Sequence, residues 1–279
     1  MNKFLLICVL TVSSLFANAQ TIITGEYMKQ PAKIDNNITL DTSKVEVVYH
    51  YQVIDRDLQN MREYDRILQL GDSVCKYWDY GKYRADSAAV YIQGLTYGDL
   101  NKLHNLYHVD NSDYMTENFS SGVLTVHSRA AMDRYTYKEH IPQFDWQQSD
   151  STKEVCGYLC HLATATFRGR SWMVWYCDIP NGVGPWKLNG TPGLILEASS
   201  DNNDHHFIAT TVRKSKSTIT DEKRNDFKTT RERFNALLLD YKSNPGKYLK
   251  NLVFEAKDAN GNIIKMPRRK MFYNPLEKE

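Results

Sequence analysis

The stretch "YLCHLATATFRGRSWMVWYC", Tyr158–Cys177, decides how the fold of this chain is interpreted. Apolar and polar residues alternate on both sides of a central Arg-Gly-Arg, which is typical of two antiparallel strands joined by a tight turn. With Arg168 and Gly169 as a two-residue type I′ turn, Phe167 faces Arg170 and the register of every pair behind them follows. The stretch therefore predicts a β-hairpin in which a single turn determines all cross-strand neighbours.

The first twenty residues, "MNKFLLICVLTVSSLFANAQ", have the pattern of a secretory signal peptide. Lys3 precedes a short apolar run, and an Ala-x-Ala site ends at Ala19. The run is too short to span a bilayer, so no transmembrane segment is expected. We expect residues 1–19 to be removed and the mature chain, beginning at Gln20, to reach the periplasm or the extracellular space.

Export leaves four cysteines in an oxidising compartment, which favours disulfides. On the hairpin register above, Cys160 lies opposite Cys177 in a non-hydrogen-bonded pair, whose Cα separation of about 4.5 Å is near the short end of disulfide geometry. A turn one residue later would place Cys177 opposite Leu162 and remove the bridge. The remaining Cys75 and Cys156 would pair by default. A zinc site is the rival interpretation, although no two cysteines form a C-x-x-C pair.

Composition indicates an ordinary globular protein. A net charge of +2, with 42% hydrophobic and 24% charged residues, is close to the average and argues against a nucleic-acid partner. The 18 Tyr and 5 Trp favour strands and also binding surfaces. Without a repeat or a linker, residues 20–279 are predicted to form one β-rich domain.

Hydrophobic periodicity predicts the order of the elements. We expect a mainly β (α+β) fold, in which a curved antiparallel sheet, half-barrel or bowl-like, is covered by one long helix from the C-terminal half. The predicted elements are a strand at Ser43–Ile54, a hairpin at Arg66–Tyr80, a helix within Ala85–Leu103, a strand at Val123–Tyr137, a hairpin joining Leu194–Ser199 to His206–Val212, a long helix from Thr220 to Asn244, and an Asn-Gly hairpin at Phe254–Met266.

A second segment, "GPWKLNGTPGLILEASSD" at Gly184–Asp201, is rich in Gly and Pro and then becomes an apolar strand. Its prolines fix φ, while Gly184 and Gly193 allow backbone conformations closed to other residues. Trp186 and Leu188 are apolar residues in a loop, so they are expected to dock it against the sheet. The leading interpretation is a rigid crossover that feeds a core strand, and the alternative is a preformed lip over a ligand groove.

These segments together resemble the GLPGLI family of secreted proteins. The likeness covers nearly all of the mature chain, with Thr191 where the name motif has Leu and Cys75 where the family usually has Ser. The resemblance implies secretion and a β-rich fold, and it implies no established reaction and no catalytic residues. The residues that carry it are Gly157, Tyr158, Cys160, Arg168, Gly169, Arg170, Trp172, Trp175, Pro180, Gly184, Pro185, Trp186, Gly190, Pro192, Gly193, Leu194 and Ile195.

Two further likenesses concern the fold alone. The order of strand, hairpin, loop and strand resembles the half-barrel lipoprotein carriers of the periplasm and the bowl-like N-terminal domain of a secreted glycoamidase. Such analogies carry little information about chemistry.

The sequence contains none of the short catalytic motifs of hydrolases, metalloproteases or nucleotide-binding enzymes. Asp201–His206 is interpreted as a hairpin turn rather than a metal site, and His104 with His108 lacks a third ligand. The basic cluster Pro267–Lys270 is interpreted as a solvated chain end. No cofactor is expected.

We therefore predict an exported envelope protein that binds a lipid, a glycan or a protein on its sheet without catalysis. The specific partner stays open, and peripheral association with the outer membrane is compatible with this interpretation. A hydrolase whose site is assembled from distant residues is the alternative function, and a metal-binding module is the second alternative.

Overall fold

The computed structural model describes residues 25–32, 37–110, 113–248 and 270–278. The predicted signal peptide, the predicted hairpin at 254–266 and most of the basic cluster at 267–270 lie outside these residues. Backbone contacts divide the chain into two compact units. One comprises the described residues up to Asn37 together with Gly81–Val109, and the other comprises Ile38–Tyr80 together with the chain from Asp110 onward.

The chain is mainly β, as predicted. Its strands are β1 (Asn37–Thr42), β2 (Val45–Asp55), β3 (Asn60–Leu70), β4 (Val74–Asp79), β5 (Tyr114–Asn118), β6 (Val123–Ala130), β7 (Asp133–His140), β8 (Gln147–Val155), β9 (Tyr158–Phe167), β10 (Arg170–Cys177), β11 (Ile195–Ser200), β12 (His205–Lys214), β13 (Thr218–Glu222) and β14 (Phe227–Lys228).

Twelve of these strands form one open sheet in the order β14-β7-β6-β5-β4-β3-β2-β12-β11-β10-β9-β8. Every neighbouring pair is antiparallel except β14 and β7. The strands β14 and β8 are the two edges of this sheet, so it does not close. The remaining strands, β1 and β13, pair as a separate two-stranded sheet.

The register predicted for the β9–β10 hairpin is confirmed. Phe167 is paired with Arg170 and Cys160 with Cys177. The turn residues Arg168 and Gly169 have φ values of 45° and 75°, as a type I′ turn requires. The Cys177 amide donates to the Leu194 carbonyl at 2.9 Å, on the side away from Cys160. The cysteine pair is therefore non-hydrogen-bonded, as the count from the turn predicts.

The other predicted strands are present, except that one stretch predicted as a single strand forms two. The predicted strands correspond to β2, to the hairpin of β3 and β4, and to the hairpin of β11 and β12. The single strand predicted at Val123–Tyr137 is wrong, because the chain turns at Ala131, whose φ is 55°, and forms β6 and β7. The loose alternation of that stretch hides a turn without Gly or Pro.

The helix predicted within Ala85–Leu103 is wrong as a single element. The chain forms α1 (Tyr80–Ala89) and α2 (Tyr97–Leu106) instead. Gly94, with a φ of 63°, lies between them, and Thr96 begins α2 through a capping box with Asp99. Ala89, Leu95 and Ala32 form the small core of this unit.

The long helix predicted from Thr220 to Asn244 is also wrong. The helices of this region are α3 (Arg231–Ser243), with Thr230 as its N-cap, and α4 (Pro245–Tyr248). The residues before Thr230 form β13 and β14 instead. Acids that resemble a first helical turn are used elsewhere, because Asp221 accepts from Tyr114 and Asp226 contacts His127. Among the described residues, no helix is both long enough and apolar enough to cross a bilayer.

Candidate functional site

The second unit encloses a cavity of about 380 Å³. It lies between one face of the large sheet, which we call the cavity face, helix α3 and the C-terminal residues 270–278, which we call the strap. Its wall is rich in aromatic rings. They are Tyr51, Tyr64, Tyr77, Trp78, Tyr114, Tyr137, Trp186, Phe207, Phe234, Phe272 and Tyr273.

The strap is held in place by backbone and side-chain hydrogen bonds. Its Tyr273 amide donates to the Asp55 carboxylate at 2.9 Å, and the Asn274 amide group donates to the Ile54 carbonyl at 2.6 Å. On its other side the Pro275 carbonyl accepts from Arg170 at 3.0 Å. These bonds hold the strap against both the β2 and the β10 side of the sheet.

One end of the cavity, which we call the paired end, is a buried ion network. The Lys187 ammonium lies 2.5 Å from a carboxylate oxygen of Glu139 and 2.5 Å from one of Glu277. Arg168 bridges the same two carboxylates at 2.6 and 2.8 Å. Arg231, the first residue of α3, reaches Glu277 at 2.9 Å. Every charge of this network therefore has an opposite partner, as burial requires.

Burial and the nearby positive charges shift the pKa values of these carboxyl groups in opposite directions. Burial by itself raises the pKa of Glu277, but the charges of Lys187, Arg168 and Arg231 outweigh it and leave that pKa below its ordinary value. Glu117 is the exception. Burial raises the pKa of Glu117 to about 7, although Lys187 pulls it down. Its Oε2 has no hydrogen-bond partner among the described residues.

The Gly- and Pro-rich loop carries Lys187 into this network. Trp186 is buried against Trp172, with ring centroids 5.6 Å apart, which confirms the predicted docking of the loop. Trp186 itself has a φ of 56°, a left-handed conformation that is unusual for a bulky residue. A strained residue beside a buried lysine indicates that the surrounding packing imposes this geometry.

The reason predicted for the loop glycines is wrong at two positions. Gly184 and Gly193 do not have a positive φ. A Cβ on Gly193 would lie 1.8 Å from the Cys177 carbonyl oxygen, and one on Gly184 would lie 2.7 Å from the Ile195 side chain. Both positions need glycine because another part of the chain approaches closely, not because the backbone is left-handed.

At the other end of α3 lies a second group of charges, which we call the open end. Lys242 and Arg62 both line the cavity there. The guanidinium of Arg62 lies over the Phe272 ring at 4.5 Å. Burial, with repulsion from Arg62, lowers the pKa of Lys242. Burial likewise raises the pKa of Asp113, whose carboxylate accepts from Ser128 at 2.8 Å.

The residues that carry the family resemblance do not all lie near the cavity. Arg168, Arg170, Trp172 and Trp186 surround the paired end or contact the strap, as described above. Gly157 and Tyr158 lie at the β8–β9 turn and do not line the cavity. The others lie on β9 and β10, in the turn between them, in the connection to β11, or at the start of β11. They are Cys160, Gly169, Trp175, Pro180, Pro185, Gly190, Pro192, Leu194 and Ile195.

All four described cysteines are unbridged. The Cys160 thiol donates to the Tyr158 carbonyl at 3.5 Å. The neighbouring Cys160 lowers the pKa of the Cys177 thiol to about 7. Cys75 is buried on β4, where it contacts Glu117. Cys156 is exposed in the β8–β9 turn, with a φ of 53°. The pairing Cys160–Cys177, and with it Cys75–Cys156, stays a prediction.

The candidate metal ligands point to separate partners. His205 contacts the Tyr51 hydroxyl at 2.7 Å, whereas its neighbour His206 contacts Glu197 at 3.2 Å. His104 lies on α2, and His108 follows the helix with a φ of 51°. Within the described residues, no three His, Cys, Asp or Glu side chains come close enough to hold a metal ion.

Sequence reasoning missed the charged residues of both ends. Lys187 lies inside the quoted Gly- and Pro-rich segment. Glu139 and Glu277 lie far from it in sequence, and Arg62 and Lys242 look like ordinary surface cations. A lysine between an apolar Trp and Leu in a docked loop was the one available signal.

No family model and no curated protein matches the chain. Two solved structures of PNGF-II are similar in fold, at 13% sequence identity. The structure in the C2 space group has a TM-score of 0.50 and covers 72% of this chain and 33% of its own. The structure in the P21 space group has a TM-score of 0.49 and covers 72% and 34%. This chain therefore spans about a third of the chains that it matches, and the similarity concerns the fold alone.

Proposed function

We propose that this protein is exported and binds a small ligand in the cavity beneath the strap, without turning it over. The aromatic wall is the observation that carries the proposal. A cavity of about 380 Å³ falls within the usual range for small-molecule sites, ~300–1,000 Å³. Aromatic rings are typical of the lining of such sites.

The proposal includes a curved sheet, half-barrel or bowl-like, whose concave side is the cavity face. Eight inter-strand steps separate β7 from β10 in the sheet order, which is ~38 Å on a flat sheet. Yet adjacent loop residues reach both strands. Lys187 lies 3.4 Å from the Tyr137 hydroxyl on β7, and the Trp186 ring lies 5.6 Å from that of Trp172 on β10. These two contacts support strong curvature.

The membership in the GLPGLI family and the export of the chain are parts of the same proposal. They rest on the order of the motif residues and on the signal-peptide pattern of Met1–Ala19. The ligand would then come from the cell envelope, and the aromatic cavity favours a small lipid over a glycan or a protein partner.

Native mass spectrometry of the protein purified from its own envelope tests this proposal, with a matched pair of variants on α3. Leu238 lines the cavity, whereas its neighbour Leu239 is 51% exposed and does not. Leu238→Trp should fill the cavity and remove a co-purified mass that Leu239→Trp retains. Equal retention by both variants, with both folded by circular dichroism, would contradict the proposal.

A hydrolase is the second candidate, and one observation favours it. Asp113 lines the cavity and burial raises its pKa, and a raised pKa is typical of the carboxylic acids that act as general acids. Broad panels of ester, peptide and glycoside substrates test this candidate. Turnover that Asp113→Asn abolishes would replace binding with catalysis as the function, and its absence for the wild-type protein supports the binding role.

A further inference from the structure

We infer that the cavity binds an amphiphile with an anionic head group, which is held at the open end by Lys242 and Arg62. The apolar body of the ligand lies against the aromatic wall. This inference rests on the proposed function, because it names the chemical class of the ligand that the same cavity takes.

The cations of the cavity wall fall into two kinds. Lys187 and Arg66 have carboxylate partners, Glu277 at 2.5 Å and Asp79 at 2.7 Å. Lys242 and Arg62 form no ion pair with any described carboxylate. Two cations that share one end of a partly buried cavity repel each other. An anion between them would remove that repulsion, so the open end has the charge of an anion site.

The one acidic residue of the wall near these cations, Asp113, offsets only part of their charge. Its carboxylate raises the pKa of Lys242 against the effects of burial and of Arg62. Burial in turn outweighs the Ser128 hydrogen bond and raises the pKa of Asp113 itself. The open end therefore keeps a net positive charge. A neutral or cationic ligand head would leave that charge uncompensated.

The rest of the wall suits an apolar chain. Tyr51 and Phe207 stack with ring centroids 4.1 Å apart, and Phe234 adds a ring from α3. The volume is at the low end for ligand sites, so it suits one chain rather than a lipid with several. The matching ligand is thus a single-chain amphiphile with one anionic head.

Three probes of equal chain length isolate the head group: decanoate, decan-1-ol and decylamine. Binding to the full exported protein, stripped of co-purified ligand, is measured by calorimetry. Decanoate should bind at least about tenfold more tightly than decan-1-ol, because a charge-assisted contact exceeds a neutral one. Decylamine should bind most weakly.

Variants assign the preference to the named residues. Lys242→Met combined with Arg62→Met should remove the decanoate preference, and each single variant should reduce it. Lys214→Met, an exposed change on β12, should leave all three affinities unaltered.

The outcomes separate this inference from the proposed function. If decanoate and decan-1-ol bind equally, or if decylamine binds most tightly, the inference is wrong while the binding cavity stands. If the preference survives in the double variant, the head group lies elsewhere and the inference is again wrong. If none of the probes binds and Leu238→Trp also retains the co-purified mass, both are wrong.

Discussion

The paired end and the open end belong to the same cavity and to the same helix, yet they use their charges differently. Arg231 and Lys242 are eleven residues apart on α3, which places them ~16 Å apart along its axis. Arg231 joins a network of partnered charges, whereas Lys242 and Arg62 have no described carboxylate partner. The difference shows that one cavity wall can contain both charges that are paired within the fold and charges that have no carboxylate partner among the described residues.

The largest expected effect is a difference in the free energy of unfolding between variants of Lys187 and of Lys242. Lys187→Met should lower the free energy of unfolding by about 3–5 kcal/mol, because two buried carboxylates lose their shared cation. Lys242→Met should change it by less than about 0.5 kcal/mol or increase it slightly, since the folded protein disfavours that charge. Urea denaturation at neutral pH measures both.

The control for this comparison is Lys44→Met. Lys44 pairs with Asp72, but both side chains are more than 60% exposed. Its loss should therefore matter little. Similar costs for Lys187→Met and Lys242→Met would mean that the two ends do not differ in their structural role.

Glu117, beside the paired end, should make stability depend on pH. Its pKa of about 7 in the folded protein exceeds the ordinary 4.5, so its contribution is complete below pH 4.5 and is lost as pH rises through 7. Glu117→Gln should match the wild-type protein near pH 4.5 and exceed it by about 3 kcal/mol at pH 8. If the free energy of unfolding depends on pH in the same way for both proteins across this range, Glu117 is not a buried, uncompensated carboxylate. Glu154→Gln, at an exposed position, is the control.

The β9–β10 hairpin positions Arg168 at the paired end, and a Cys160–Cys177 disulfide should reinforce it. Peptide mapping without reduction should detect this crosslink in exported, oxidised protein. Its reduction should lower the free energy of unfolding by about 2–3 kcal/mol, as for a loop of this length. Two free thiols in that material would end the disulfide prediction, although the confirmed register would stand.

The loop that carries Lys187 should tolerate no added methyl group at its closest approach. Gly193→Ala should cost about 1–3 kcal/mol, because a Cβ there would collide with the Cys177 carbonyl. Gly25→Ala is the control, since nothing lies within 4 Å of a Cβ at that position. Equal midpoints in thermal unfolding for the two variants would show that the loop can shift, and the paired end would then depend less on this approach.

Amide hydrogen exchange tests the smallest expected effect, which is confined to one loop. The loop from Gly182 to Gly193 is docked by Trp186, so its exchange should be slow for a loop. Exchange as fast as at the chain ends would contradict a rigid loop, and Lys187 would then be held by its ion pairs alone.

Local patterns predicted a large part of the fold. The type I′ turn at Arg168 and Gly169 determined the register of β9 and β10, because the period of a strand allows only one set of partners once its turn is known. Alternation located β2 and the β3–β4 hairpin. The same reasoning failed for the helix predicted from Thr220, because its first acids lie in β13 and Asp221 accepts a hydrogen bond from the distant Tyr114.

The sequence by itself determined a β-rich chain, the hairpin register and a docked, glycine-rich loop, since these depend on turn chemistry and on periodicity. Only the tertiary structure decided that Lys187 pairs with Glu139 and Glu277 while Lys242 forms no ion pair with a described carboxylate. Charge partners come from positions far apart in the chain, and burial depends on how sheet, helix and strap assemble. Neither leaves a local pattern, because the residue type is the same whether a lysine is buried or exposed to water.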